Sequence, residues 1–159
     1  MDKIPETRVK IRFIDCDPLG HLTNSRYIDY MLNAREDHVN LAYNLDYFEY
    51  SKKTGSAWVA YQNQIAYLKE VTYNEEVIIS SKIIDIQETT AIVEIMMMDK
   101  DKKNVKSVLW TTVVHMNLFS RKRENHSDEI LEMFKQVLVV INEKTFEERV
   151  TYFRLENKK

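Results

Sequence analysis

From Ser56 onward the chain is a run of strand-length segments joined by links too short to cross a sheet. Ser56 to Tyr67 is rich in apolar and aromatic residues, and Val77 to Ile86 alternates through Ile79, Ser81 and Ile83. Thr89 to Met98 sets Ala91, Val93, Ile95 and Met97 on one face and Ile92, Met96 and Met98 on the other; Val105 to Phe119 is a last long strand. Between them lie a charged turn, Glu70 to Glu76, and a polar hairpin tip, Asp99 to Asn104. A parallel crossover needs about a dozen residues or more, so these links dictate antiparallel neighbours.

One helix precedes the strands. Tyr27, Met31, Ala34, His38 and Leu41 follow helical spacing from about Asn24 into the forties, and Ile28, Leu32, Val39 and Ala42 widen the stripe. A helix this apolar belongs inside the curve of a sheet. Before it, Arg8 to Phe13 alternates, with Val9, Ile11 and Phe13 on one side, which predicts a half-buried strand and the order β-α-β-β-β-β. Asn44 to Gly55 reads as a helical turn and loop whose aromatics, Tyr47, Phe48 and Tyr50, either pack over the helix end or shape a substrate entrance.

Composition excludes several classes. At 159 residues, 44% hydrophobic and 30% charged, the chain is expected to be one soluble domain that buries a core without staples. A net charge of −2 and a pI near 6.1 give no electrostatic footprint for nucleic acid. Met1 to Glu6 lacks the apolar run of a signal peptide and no segment reaches membrane-spanning length, so a cytoplasmic protein with no membrane partner is expected. Cys16, the single cysteine, has no disulfide partner, and the four histidines show no zinc-like spacing with it, so neither a metal nor a cofactor is expected.

The chemistry concentrates in Asp15-Cys16-Asp17-Pro18-Leu19-Gly20-His21-Leu22-Thr23-Asn24-Ser25-Arg26-Tyr27. Pro18 keeps Asp17 extended, so alternation puts Asp15 and Asp17 on one face and Cys16 on the other. Gly20 permits a sharp turn, and Thr23, Asn24 or Ser25 is positioned to cap the helix. A carboxylate then sits beside a helix N-terminus, whose free amides and partial positive charge suit a carbonyl oxygen becoming negative. Two readings stay open: Asp17 does chemistry beside such a hole, or both acids merely satisfy turn amides.

Asp17-Pro18-Leu19-Gly20-His21-Leu22-Thr23-Asn24-Ser25-Arg26-Tyr27, followed by Tyr30 and Ala34-Arg35, resembles the signature of hotdog-fold acyl thioesterases, nearest to the 4-hydroxybenzoyl-CoA and acyl-ACP thioesterase branches. The resemblance implies an α+β hotdog fold, a five-stranded antiparallel sheet wrapped around a long central helix. It implies hydrolysis of an acyl thioester, carried by CoA or by an acyl carrier protein, and a place in fatty acid metabolism. Asp17 maps to the family's catalytic acid, as nucleophile or general base. His21 and Asn24 are further catalytic candidates; Gly20, Tyr27, Trp58 and Val59 are substrate-binding candidates. Relatives form dimers with sheets joined edge to edge and sites between subunits, sometimes paired into tetramers, so a homo-oligomer is expected. Leu19 and Thr23 depart from the acyl-ACP pattern, where Asn stands. A non-catalytic acyl-CoA-binding hotdog module is the alternative.

Other features are weighed beside these. Arg121, Lys122 and Arg123 are candidates for holding CoA phosphates, or form a solvated loop. Met96 to Met98 line an acyl pocket or fill a core. A Cys16–His21 pair ranks low as nucleophile and base, because flanking carboxylates disfavour the thiolate. Ser127 opens a helix with stripe Ile130, Leu131, Phe134, Val137, Leu138 and Ile141. Residues 1–125 are expected to form the hotdog domain and 126–159 a C-terminal helix and tail, packed on it or on a neighbouring subunit.

Overall fold

Five strands form one antiparallel sheet in the order β1-β3-β4-β5-β2: β1 is Glu6–Lys10, β2 Ser56–Tyr67, β3 Glu76–Ile86, β4 Thr90–Asp99 and β5 Val105–Asn117. The computed structural model describes every residue from Met1 to Lys159. β3, β4 and β5 pair as consecutive hairpins, while β1 and β2 take the two edges. Bulges at Ala60–Gln62 of β2 and Ile83–Asp85 of β3 add residues to one side of a pair, which bends the strands. The sheet wraps helix α1, Asn24–Tyr43, giving the α+β hotdog arrangement.

A strict step of four sets the seat of α1. Tyr27, Met31, Arg35, Val39 and Tyr43 are all buried, flanked by Ala34 and His38. Residues four apart stack on one helix face, so this row meets the inner faces of β3, β4 and β5 through Ile79, Ile95, Met97 and Leu109. The expected stripe included Leu41, but Leu41 is exposed because the buried row drifts toward Val39 and Tyr43. Asn44, in the left-handed region at φ 51°, ends the helix. The following segment is a full helix, α2 (Tyr47–Thr54), in which Asp46 caps the Glu49 amide at 2.9 Å and Gly55 at φ 73° stops the chain.

Two further boundaries differ from the sequence pattern. Strand β1 ends at Lys10, and residues 13–15 form a 3₁₀ turn that carries the chain off the sheet edge; Phe13 is exposed and meets only the edge of Tyr73. Strand β5 ends at Asn117, whose side chain accepts from the Phe119 and Ser120 amides and closes a turn, leaving Phe119 in solvent. Met97 is fully buried in the main core, and Met96 packs on the opposite face. The methionine run is core filler, not a pocket lining.

Helix α3 (Asp128–Val137), capped by Ser127, adds Ile130, Phe134 and Val137 to the core around α1. Helix α4 (Phe146–Glu156) covers the other face, where Phe146, Val150 and Phe153 meet Val108 and Trp110. A buried charge cluster joins it to the sheet: Arg149 donates from Nε and Nη2 to both oxygens of Glu94 at 2.8 Å, and Lys82 and Trp110 approach the same carboxylate. Burial alone raises the Glu94 carboxyl pKa, but hydrogen bonds from Arg149 and the Lys82 charge hold it below the ordinary value. No helix is long and apolar enough to cross a membrane.

Removing one partner of a buried ion pair strands the other. Arg149→Ala is expected to lower stability by about 3 kcal/mol in urea unfolding. Arg8→Ala, which removes the exposed pair with Glu76, is expected to change it by less than about 1 kcal/mol. Equal effects would show that Glu94 is reached by water.

Candidate active site

Asp17 sits in a loop that its own carboxylate builds. Its Oδ1 accepts from the amides of Leu19 (2.9 Å) and His21 (3.0 Å), and its backbone carbonyl accepts from the Gly20 amide at 2.9 Å. Gly20 supplies the required φ of 79°; a Cβ there would meet nothing, so backbone conformation and not space calls for glycine. Only Oδ1 is used in these bonds, which leaves Oδ2 free. Asp17 therefore satisfies turn amides with one oxygen and keeps the other without a hydrogen bond to the protein.

Asp17 shares a cavity of about 540 Å³ with His21, Asn24, Tyr27 and Tyr67. The N-terminus of α1 opens there. Thr23 is the N-cap, but its side chain makes no capping bond; the Arg26 amide donates to the Thr23 carbonyl at 2.8 Å, and the Asn24 and Ser25 amides stay unpaired. Asn24 is the first helical residue, not the cap, and its side-chain amide makes no hydrogen bond to the protein; its backbone carbonyl accepts from the Tyr67 hydroxyl at 3.0 Å. Tyr27 is buried edge-on against Tyr67 with centroids 5.0 Å apart, and burial pushes its phenol pKa up, so it remains protonated at neutral pH. The His21 imidazole pairs with Glu70 at 3.2 Å; it holds Asp17 through its backbone amide, not its ring.

Asp15 and Asp17 do not share a face, because the 3₁₀ turn breaks the alternation between them. The Asp15 carboxylate accepts from the Tyr30 hydroxyl at 2.5 Å and lies 3.7 Å from Arg26, in a separate depression. Cys16 is half-buried against the core, and burial, with Asp15 and Asp17 beside it, pushes its thiol pKa up. It is a poor nucleophile there. Leu19 is exposed and lies outside the cavity, so its departure from the acyl-ACP pattern does not touch the site.

The other candidates lie at the opposite end of β2. Trp58 pairs in register with His115 and Tyr67 with Ser107, which sets the two ends about 30 Å apart along the strand. Trp58 donates from Nε1 to His126 Nε2 at 3.0 Å and stacks on Tyr50, while Val59 is exposed on the sheet edge. Arg121, Lys122 and Arg123 form an exposed turn just past β5, with Arg121 at φ 58° and Arg123 over the Tyr61 ring. Within one chain, then, Asp17, Gly20, His21, Asn24 and Tyr27 come together, and Trp58, Val59 and the basic turn form a second group.

Between α1 and the sheet lies a second cavity of about 330 Å³, lined by Trp58, Phe134, Val93 and Val113 and opening past Leu32, Tyr47 and Ala60. Sequence reasoning missed it and Thr111, and took Arg35 only as part of the motif, not as a wall residue. A signal existed: Arg35 stands at the centre of the apolar i+4 row. Behind it, Ser81 Oγ accepts from Arg35 and so donates to His38 Nδ1 (2.7 Å), and His38 Nε2 then donates to Thr7 (2.9 Å). Burial, and then the Arg35 charge, lower the His38 pKa to about 4.

With the geometry in hand, comparison places the molecule among known proteins. Residues 11–136 match the thioesterase-like superfamily, and the chain belongs to it. It is a thioester hydrolase, a member of a family that acts on acyl thioesters. Among solved structures, it superposes on the 12:0-ACP thioesterase of Umbellularia californica with a TM-score of 0.81 and 16% identity, covering 92% of this chain and 54% of that one. The DHNA-CoA thioesterase of Staphylococcus aureus gives 0.75 at 14% identity (84% and 90% covered), and the probable thioesterase YbaW of Escherichia coli 0.73 at 22% (84% and 98% covered). These likenesses show the hotdog fold. No curated protein matches the sequence.

The buried histidine makes a stability prediction. Unfolded His38 binds a proton near pH 6.5, whereas folded His38 resists protonation down to about pH 4. Its contribution is therefore complete above pH 6.5 and is lost as pH falls toward 4, by about 3 kcal/mol over the window. His126, lowered mainly by burial, acts in the same direction. Urea midpoints measured from pH 7.5 to 4.5 are expected to fall, and His38→Gln to flatten that fall; an unchanged slope would exclude His38 as the cause.

Proposed function

We propose that this protein hydrolyses acyl-CoA thioesters at a site shared by two subunits, with Asp17 as the nucleophile or general base. One observation carries the reading: Asp17 is pinned by two amides through Oδ1 while Oδ2 stands free in a cavity at the uncapped N-terminus of α1. In this scheme the helix amides hold the thioester oxygen as it becomes negative. Oδ2 attacks the carbonyl carbon, or takes a proton from a water held by the Asn24 amide. The acyl–sulfur bond breaks, water supplies the hydroxyl of the acid, and a proton goes to the departing thiolate. Tyr27 walls the site as a neutral phenol.

The edge strand supports the two-subunit arrangement. β2 is twelve residues long with one unpaired edge, and Val59 and Tyr61 are exposed along it. Long apolar edges call for a covering partner. Two copies joined antiparallel through β2 about its midpoint would set Tyr67 of one beside Ser56 of the other. The Asp17 cavity would then adjoin the partner subunit's Trp58, Val59 and basic turn, uniting the two groups that one chain holds apart. Arg121, Lys122 and Arg123 would take the CoA phosphates, which favours CoA over a carrier protein as the thiol. Residues 1–125 serve as the catalytic hotdog unit in this reading, and 126–159 brace it.

Two experiments test the proposal. Thiol release from a panel of acyl-CoAs, corrected for labelling of Cys16, is expected to fall by about 10² to 10⁴ in Asp17→Asn. An unaffected rate would remove Asp17 from the chemistry. For the shared site, mixing Asp17→Asn with Val59→Glu subunits after unfolding and refolding together should restore about a quarter of wild-type activity, since half the dimers then carry one intact site. No recovery, or a monomer by light scattering at micromolar concentration, would sink the shared-site arrangement.

A further inference from the structure

Small side chains open the cavity between α1 and the sheet. Ala57 and Ala60 of β2 and Ala91 of β4 line it, in a core otherwise filled by residues such as Ile79, Ile95 and Leu109. Alanine is disfavoured in strands, and packed interiors hold few voids larger than a water molecule. About 330 Å³ of apolar space is therefore costly to leave unfilled. Ile83 and Phe134 are buried at its inner wall beside Trp58, whereas Leu32, Tyr47 and Ala60 are exposed and form its mouth.

The walls present carbon to an occupant. Of 15 lining residues 13 are hydrophobic; the other two are Arg35 and Thr111. Arg35 directs its guanidinium to the hydroxyls of Tyr43, Ser81 and Tyr47, and its Nε is buried away from the cavity, as is Thr111 Oγ1. The inner wall is also held in place. Trp58 donates from Nε1 to His126 Nε2 at 3.0 Å, which leaves the His126 proton on Nδ1 for the Gln87 carbonyl at 3.1 Å. Tyr50 stacks on the same indole with centroids 4.6 Å apart, and Phe134 packs on both Trp58 (5.8 Å) and His126 (5.3 Å). Rings interlocked in this way do not swing aside to lengthen the cavity.

An apolar cavity of about 150 Å³ holds benzene, roughly 25 Å³ per carbon, so about 330 Å³ holds about a dozen carbons. In the two-subunit arrangement proposed above, the partner's acid adjoins Trp58 and Val59, beside the mouth at Ala60. From this we infer that the cavity selects unsubstituted aliphatic acyl chains of about ten to twelve carbons, whose methyl end stops against Phe134 and Trp58. Phe134 is the specificity residue in this assignment: it limits chain length and takes no part in bond breaking. It comes from α3, so the C-terminal segment supplies part of the substrate pocket as well as bracing the sheet. The inference rests on the thioesterase reading for its reaction, but the preference for chain length stands on binding alone. A hydroxylated aromatic or carboxylate-ended acyl group would lose water from its polar atoms with nothing in these walls to replace it.

The test measures kcat/KM on the full-length protein for straight-chain thioesters from hexanoyl-CoA to hexadecanoyl-CoA, with 4-hydroxybenzoyl-CoA beside them. Wild type is expected to peak at decanoyl- or dodecanoyl-CoA, to lose about tenfold for each two carbons removed below that peak, and to turn over 4-hydroxybenzoyl-CoA poorly. Phe134→Ala, which deletes the ring at the inner wall, should move the peak to longer chains. Ala91→Leu, which fills part of the cavity, should move it to shorter ones and raise the thermal midpoint. Circular dichroism establishes that each is folded; should Phe134→Ala fail to fold, the wild-type profile and Ala91→Leu still decide. Titration calorimetry with the same panel on Asp17→Asn separates the two readings. Tightest binding of the medium chains without turnover by wild type would overturn hydrolysis and keep the cavity assignment. Tightest binding of 4-hydroxybenzoyl-CoA, or a length profile that a folded variant leaves unmoved, would overturn the assignment even if every thioester is hydrolysed.

Discussion

The step-of-four row on α1 is the contact around which the other elements arrange themselves. Tyr27, Met31, Arg35, Val39 and Tyr43 seat the helix in the concave face of the sheet, and Met31 is wholly buried there. A side chain of that size contributes about 2 kcal/mol on burial, several times an exposed ion pair such as Arg8–Glu76. The sheet bends at its bulges to follow the helix, and α3 fills the gap that the curve leaves. Because α1 is fixed along its length, so is its N-terminus. The Asn24 and Ser25 amides there, and the Asp17 loop tied to the helix by the bond from the Thr23 amide to the Asp15 carbonyl, inherit that rigidity.

The same row makes the chain's least comfortable placement. Arg35 occupies the centre of an apolar seam, where a leucine or methionine would pack without desolvating a charge. Ser81, His38 and Thr7 form a chain of bonds behind it that satisfies one nitrogen and fixes the histidine neutral. On the opposite face of the sheet, Glu94 shows the arrangement a purely structural cluster reaches, with Arg149, Lys82 and Trp110 all directed at one carboxylate. The two buried arginines differ in their partners: Arg149 meets a carboxylate, and Arg35 meets only hydroxyls.

The candidate residues fall into two groups because the sheet is long. Asp17 and Tyr67 lie at one end of β2, and Trp58, Val59 and the basic turn at the other, so a single copy holds the two groups of candidate residues apart and leaves one sheet edge uncovered. The apolar cavity has Ala60 of the same strand in its wall.

Much of this was legible in the residues themselves. The alternation in Val77 to Ile86 and Thr89 to Met98, the short links, and the apolar stripe from Tyr27 onward determine an antiparallel sheet around a helix, because periodicity and loop length are local properties. The Asp17–Pro18–Leu19–Gly20 turn likewise follows from local conformational preference. Phe13, Leu41 and Phe119 were misjudged because each lies just past the point where its element ends or drifts off the core, and that point is set by the packing partner. Only the tertiary structure separated Asp15 from Asp17, turned the His21 ring to Glu70, and left Arg35 without a carboxylate. Whether a charge is paired depends on which distant strands surround it, and neither spacing nor composition records that.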